Sequence, residues 1–354
     1  MSSLDTAERQ PAGHLGMLRA ALLLILAAVL TVTLQRWVGS HTIYDKQLAE
    51  QRLAAHNAIL HNEPPLGRKW HETGTDRLNV RILTIRFAEG VHRATGAPVL
   101  RVYQLLDTAA LFCVFLLLFT YLGACLPAPF ALIGLLYFAI ATTLTYHLHF
   151  FHPWDRLSLL CWILGIILIR DDRYLALLVL LPLAVMVKWD IIALPVLYWL
   201  VHRSRAPRVL IMMRTLALAA ASIVTLVLLA RVFPGGADRF DTGTLLEITR
   251  WQLSHNWQDF VTLHVGYPPL LAFGLPLLLA GFGLRPASHF LRATFLFALV
   301  LLVPLMLSSN FAEVRAQMMI LALLLPTALI GLIRVLSQQR FAPLMNGRAF
   351  PPSA

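Results

Sequence analysis

Lys188-Trp189-Asp190 interrupts an otherwise apolar stretch, 174–201. Charge at hydrocarbon depth is costly and usually functional. Arg173 and Arg203 flank the stretch. If both flanks lie on the same side of a membrane, the chain must enter and return, which puts Lys188 at the apex. An apex ammonium suits a phosphate oxyanion. It equally suits an ion pair with Asp190 or Asp155 that only closes a turn. Asp155 belongs to Tyr146-His-Leu-His-Phe-Phe-His-Pro-Trp-Asp-Arg156, which ends one apolar run and begins the next. At a helix start its carboxylate can offset the dipole. His147, His149 and His152 in the same stretch raise a divalent metal, but their spacing does not put all three on one helix face and Pro153 favours a turn. Asp45 follows the first apolar run closely, and a carboxylate there can take the proton of an acceptor hydroxyl. Glu313 and Arg315 share the short polar turn 308–317, where they suit a polar headgroup or each other. Asp107 falls early in the second long apolar run and is expected to pair with an arginine of the first loop.

The elements that must hold these residues follow from composition. The chain is 58% hydrophobic and 13% charged, with a mean hydropathy of +0.71. Soluble domains carry about a quarter charged residues, so this balance puts the chain in the membrane class. The net charge of +11 is not a nucleic-acid signature, because the basic residues sit at helix ends and in loops. Cys113, Cys125 and Cys161 fit neither a zinc site nor a disulfide framework. The first apolar stretch, about 18–34, exceeds a secretory h-region and reads as an uncleaved span.

Spans are expected at 18–37, 102–124, 128–147, 157–169, 174–187, 191–201, 209–231, 262–284, 291–308 and 317–334. The fold class is therefore an all-α polytopic membrane protein with about 10 transmembrane or half-membrane helices. With the N-terminus inside, thirteen basic residues fall on the cytoplasmic side and five in the short outer segments. That bias orients both termini to the cytoplasm of a bacterial inner membrane. The whole chain, 1–354, reads as one transmembrane domain with two long outer loops, 39–100 and 233–261. In the first loop Leu78, Ile82, Ile85, Ala88 and Val91 recur at helical period between Arg81, Arg86, Glu89 and Arg93, as in an interfacial amphipathic helix. A second, weaker candidate covers 44–60. The second loop holds His255, Asn256, Trp257, Asp259, His264 and Tyr267, a mix shared by carbohydrate sites and interfacial aromatic belts. No Walker pattern, nucleophile elbow or His-Glu-x-x-His is present, so chemistry is expected at the outer face on a lipid-borne substrate.

This combination resembles the GT-C superfamily of membrane glycosyltransferases. Tyr44-Asp45 stands where that family has an acidic residue after its first span. Asn79-Val-Arg-Ile-Leu83 resembles an Asn-Arg-x-Leu stretch of its second juxtamembrane helix. His152-Pro-Trp-Asp-Arg-Leu-Ser158 resembles the Asp-bearing start of a later span. Val185-Met-Val-Lys-Trp-Asp-Ile-Ile-Ala-Leu-Pro195 is similar to a Thr-Lys-Gly…Leu-Pro segment, and Glu313-Val-Arg315 to a late Glu-x-Arg. The likeness covers 1–205 and, more loosely, the rest. Lys46 stands where a second acid is usual, and Trp189 replaces the glycine after the lysine. The resemblance implies sugar transfer from a polyprenyl-phosphate donor to a glycan, lipid or protein acceptor of the cell envelope. It implies Asp45 as the base and Lys188 with Arg315 on the donor phosphate. Asp155, Asp190, Glu313 and His152 would support them, with no cofactor assigned beyond the open question of a divalent metal.

Other classes stay in play. A lipid-linked glycan or small-solute carrier would show paired broken helices, and only the pair around Lys188 is visible. A polysaccharide polymerase or ligase would carry its large basic loop late, whereas here it comes first. A non-catalytic assembly subunit would lack the convergent charges.

Overall fold

The computed structural model describes residues 12–39, 53, 56–57, 60–61, 82–146, 154–204, 206–232, 242–262, 267–308 and 314–338. Within them the chain is helical, with no strand. Helix α1 is Ala12–Thr33, continued by a π-helical turn Leu34–Gly39. Helix α2, Ile82–Thr95, is the amphipathic helix expected in the first loop. Gly96 ends it with φ +70°, a conformation only glycine adopts freely. Helices α3, Val99–Gly123, and α4, Ala128–Thr143, each start directly after a proline, Pro98 and Pro127. Proline pre-sets the backbone angle there and forfeits no bonded N–H. A 3₁₀ turn Leu144–Tyr146 closes α4. Helices α5, Asp155–Arg170, and α6, Tyr174–Val187, are joined by a three-residue turn in which Asp172 has φ 52°.

At Lys188 the backbone is extended, and a 3₁₀ turn Trp189–Ala193 leads into α7, Leu194–His202. Pro195 in the first turn of α7 helps fix the new start. An upright helix of fourteen residues rises about 21 Å, less than a hydrocarbon core of about 30 Å. Helix α6 is thus shorter than a full upright crossing, and the chain breaks at Lys188, where the sequence reading placed an interruption.

Helix α8 is Arg208–Val232. The stretch 233–261, expected as an outer loop, contains most of a helix of its own, α9, Thr242–Thr262. Its Glu247, Arg250, His255 and Asp259 make it too polar to cross a bilayer. A short helical turn Tyr267–Pro269 and a π segment Leu270–Gly274 lead into α10, Leu275–Gly283. Helix α11 is His289–Ser308, and a 3₁₀ turn Val314–Gln317 precedes α12, Met318–Gln338.

Five helices are long and apolar enough to span a membrane: Arg19–Arg36, Val99–Gly123, Ala128–Tyr146, Arg208–Leu229 and Met318–Ser337. Four shorter apolar helices accompany them, at Tyr174–Val187, Trp189–His202, Leu270–Gly283 and His289–Leu305. The chain is a membrane-embedded helical protein. Burial separates the centre of the bundle from its rim. Ile320 to Leu325 of α12 are six consecutive residues at most 2% exposed, so α12 is covered on every side. In α1 and α8, by contrast, Leu22, Ile25, Val29, Leu216, Val224 and Leu228 face outward, as lipid-facing helices do.

Helix α10 meets α12 through Gly283 and Gly331. A methyl group at Gly331 would overlap the Leu279 carbonyl oxygen, and one at Gly283 the Thr327 carbonyl oxygen. Lipid tails supply no hydrophobic drive between helices, so such backbone-to-backbone approach is what fastens them.

Successive helices joined by short turns run antiparallel. One end of the bundle therefore collects the α3–α4, α5–α6, α7–α8 and α10–α11 turns, with Arg170, Arg173, Arg203, Arg208, Arg285 and Arg292 in or beside them. The other end collects the start of α5, the Lys188 break and the start of α12. Helix α2 roofs this second end. Its Ile82 and Ile85 are buried with Trp154, Val187 and Leu229, and Leu60 of the first loop packs against the same group.

Candidate functional site

Three elements bring charge together under α2. Asp155 is the first residue of α5, where a carboxylate faces the positive end of the helix dipole. Lys188 follows the last residue of α6, where a cation faces the negative end. Arg315 lies in the 3₁₀ turn before α12. Asp155 joins the two cations. Its Oδ2 accepts from Arg315 Nη1 at 2.5 Å, and its Oδ1 lies 3.4 Å from Lys188 Nζ. Lys188 Nζ also lies 3.3 Å from Asp190 Oδ2. All four side chains are largely withdrawn from solvent, between 7% and 14% exposed. Among the described residues the cluster pairs two acids with two bases, and such pairing lowers the cost of burying charge.

Both ion pairs considered for Lys188 therefore exist together. The sequence separations are 33 residues for Asp155–Lys188 and 160 for Asp155–Arg315. Asp45, Glu313 and His152, with His147 and His149, lie outside the described residues.

A second polar layer adjoins the first, and the sequence reading missed most of it. Arg156, next to Asp155, is 5% exposed. Its Nη2 donates to Thr145 Oγ1 at 2.6 Å, and its guanidinium lies over the Tyr146 ring at 5.2 Å. Asp107 of α3, 3% exposed, accepts from Gln35 Nε2 at 2.5 Å. Among the described residues the hydrogen-bond partner of Asp107 is thus Gln35, from the π turn that follows α1; Arg52, Arg68, Arg77 and Arg81 of the first loop lie outside the described residues. The signal for Arg156 was available, because an arginine directly after Asp155 at the head of an apolar helix is itself an intramembrane charge.

The first loop contributes a third group. His56 is 2% exposed and sits between Tyr103 of α3 and Glu89 of α2. Its Nδ1 is 2.5 Å from Tyr103 Oη, and its Nε2 is 3.3 Å from Glu89 Oε2. Arg93 Nε donates to the other Glu89 oxygen at 2.5 Å. That hydrogen bond holds the Glu89 carboxyl below the usual carboxylate range.

Chemically, the cluster under α2 sets two cations on the two oxygens of one carboxylate, an arrangement that can also hold an anion with paired oxygens. Lys188 and Arg315 are held apart by the width of one carboxylate. Two oxygens of a phosphate have a similar separation, and an arginine fork favours such paired oxygens. The chain matches no family model, no curated protein and no solved structure.

Proposed function

We propose that the chain is a membrane glycosyltransferase that moves a sugar from a polyprenyl-phosphate donor to a cell-envelope acceptor at the outer face of a bacterial inner membrane. The observation that carries this reading is the single carboxylate of Asp155 bonded to both Lys188 and Arg315. In the proposed cycle the donor phosphate takes the place of that carboxylate on the two cations. Asp45 removes the proton of the acceptor hydroxyl. The acceptor oxygen then attacks the anomeric carbon, and the bond from that carbon to the phosphate oxygen breaks. The polyprenyl phosphate leaves with the bonding electron pair. Lys188 and Arg315 stabilise the charge that collects on it, and a poorly hydrated setting strengthens both contacts. Asp155 and Asp190 hold the cations when the site is empty, with Glu313 and His152 as further support.

The arginine-lined rim at the opposite end of the bundle supports placing that end in the cytoplasm and the cluster at the outer surface. The break of the apolar stretch at Lys188, beside the amphipathic α2, supports a site near the membrane surface, where a lipid-linked phosphate lies. The test is transfer of labelled sugar from polyprenyl-phosphate donors by the purified chain in proteoliposomes. Lys188→Met and Asp45→Asn should each lower the rate at least about a hundredfold, the scale of losing one electrostatic contact to a developing charge. Wild-type rates in both variants would remove the assignment.

The balance of two acids against two bases also favours a second reading, a non-catalytic assembly subunit whose ion cluster only clamps helices. On that reading Lys188→Met weakens the fold and no donor is consumed by the wild-type chain.

A further inference from the structure

Helix α7 carries an exposed apolar stripe that ends in an arginine. Val196 and Trp199 are 47% and 41% exposed, and Arg203, the residue that closes the helix, is exposed as well. Spacings of three and four residues put all three on one face. In a membrane-embedded bundle such a face meets lipid, and a tryptophan on it belongs at headgroup level. The Arg203 guanidinium lies over the Trp199 ring, 5.2 Å from its centroid. Stacking of this kind fixes the plane of the guanidinium and leaves its N–H edge for an acceptor.

Helix α11, which packs against α7, has a stripe of the same kind. Arg292, Leu296 and Val300 are exposed at spacings of four residues. Ser204 Oγ lies 3.4 Å from His289 Nε2, which ties the end of α7 to the start of α11. Arg292 is one turn beyond that tie, so both arginines stand at the same end of the bundle. Among the described residues neither has a carboxylate partner. The two acids of that end, Asp171 and Asp172, lie within ion-pair reach of Arg170 and Arg214 instead.

We infer that Arg203 and Arg292 hold the phosphate of an anionic phospholipid in the leaflet at the arginine-rich end of the bundle. Trp199 sits at the level of the lipid's glycerol backbone, and the acyl chains run along the two stripes. The inference needs only the membrane-embedded fold and is independent of the transfer reaction proposed above.

Continuity selects a lipid over a soluble anion. Each arginine closes an apolar stripe, about 10 Å long from Val196 to Arg203 and about 12 Å from Arg292 to Val300. One ligand with a phosphate and tails covers both the cations and the stripes, whereas inorganic phosphate leaves the stripes bare. Charge selects the headgroup. A choline ammonium would bring a third cation to the two arginines, and a glycerol headgroup brings none. Basic sites between helices at a membrane surface recognise anionic headgroups on this principle, and the paired donors of arginine match phosphate oxygens.

The test is quenching of Trp199 fluorescence in the full chain, reconstituted in phosphatidylcholine bilayers and titrated with brominated phosphatidylglycerol or brominated phosphatidylcholine. Trp199→Phe, measured in parallel, separates the Trp199 signal from those of the other tryptophans. Wild type should prefer phosphatidylglycerol by at least about fivefold, the contribution of one arginine near a membrane surface. Arg203→Gln with Arg292→Gln should erase the preference. Arg292→Gln alone keeps the stacking on Trp199 and should lower the preference, which serves if the double variant does not fold. Equal quenching by the two lipids, or an unchanged preference in Arg292→Gln, would overturn the inference. Quenching by neither lipid would also overturn it, because protein such as a second copy of the chain would then cover this face. A preference lost in inorganic phosphate but kept in chloride of equal ionic strength would make the occupant a soluble anion, with the same consequence.

Discussion

Replacing Asp155 by asparagine keeps the shape of the side chain and removes the one charge that Lys188 and Arg315 share. Two cations, each 12% exposed, then lose the carboxylate that lies between them. Breaking a buried ion pair by removing one partner costs about 3–5 kcal/mol. Lys188 keeps Asp190 at 3.3 Å, so the loss belongs at the lower end, about 3 kcal/mol. That is a change of more than a hundredfold in the folding equilibrium. Equilibrium unfolding in mixed micelles, titrated with a denaturing detergent and followed by tryptophan fluorescence, measures it. A double-mutant cycle sharpens the reading. Asp155→Asn with Arg315→Met removes both members of the ion pair, so the pair should be less damaging than the sum of the single changes by at least about 1.5 kcal/mol. Single-variant stability within about 0.5 kcal/mol of wild type, or strict additivity in the cycle, would refute the claim that these charges form one buried unit.

Three further outcomes follow from other parts of the bundle. Gly331→Leu should prevent α10 from reaching α12, because the new side chain meets the Leu279 carbonyl and not a movable side chain. A loss of the monodisperse peak in size-exclusion chromatography is expected, and wild-type behaviour would contradict the packing. Gln35→Leu takes away the hydrogen bond to Asp107 and should lower stability by about 1–3 kcal/mol in the same unfolding assay. No change would mean that Asp107 does not depend on Gln35. Single cysteines placed at Ser204 and Trp257 should react with impermeant thiol reagents from opposite sides of inside-out and right-side-out vesicles. Labelling of both from one side would undo the orientation.

Most of the architecture was readable because it depends on hydrophobic length and punctuation. Apolar length alone put spans at 102–124 and 128–147, against α3 at Val99–Gly123 and α4 at Ala128–Thr143 with its closing turn Leu144–Tyr146. The break was legible in Lys188-Trp189-Asp190, since such a charged run does not belong inside a continuous apolar helix. Helix α9 was less legible. Its polar residues fit a loop as well as a surface helix, and only its packing decides between them. The candidate site divides in the same way. Asp155, Lys188, Asp190 and Arg315 announced themselves as charges in or beside apolar segments, whereas nothing in their spacing said that one carboxylate would bridge the other two elements. The His56 group was hidden for a different reason. A histidine in a polar loop carries no signal until tertiary structure withdraws it from water between Tyr103 and Glu89.

The central claim is that Lys188 and Arg315 receive an anionic leaving group. The most direct measurement is the rate of sugar release from a polyprenyl-phosphate donor by reconstituted wild type and by Lys188→Met, each first shown to be folded. The expected result is turnover by wild type and a drop of at least about a hundredfold in the variant at saturating donor. Equal turnover by the two proteins would contradict it, as would a wild-type chain that releases no sugar from any polyprenyl-phosphate donor tried.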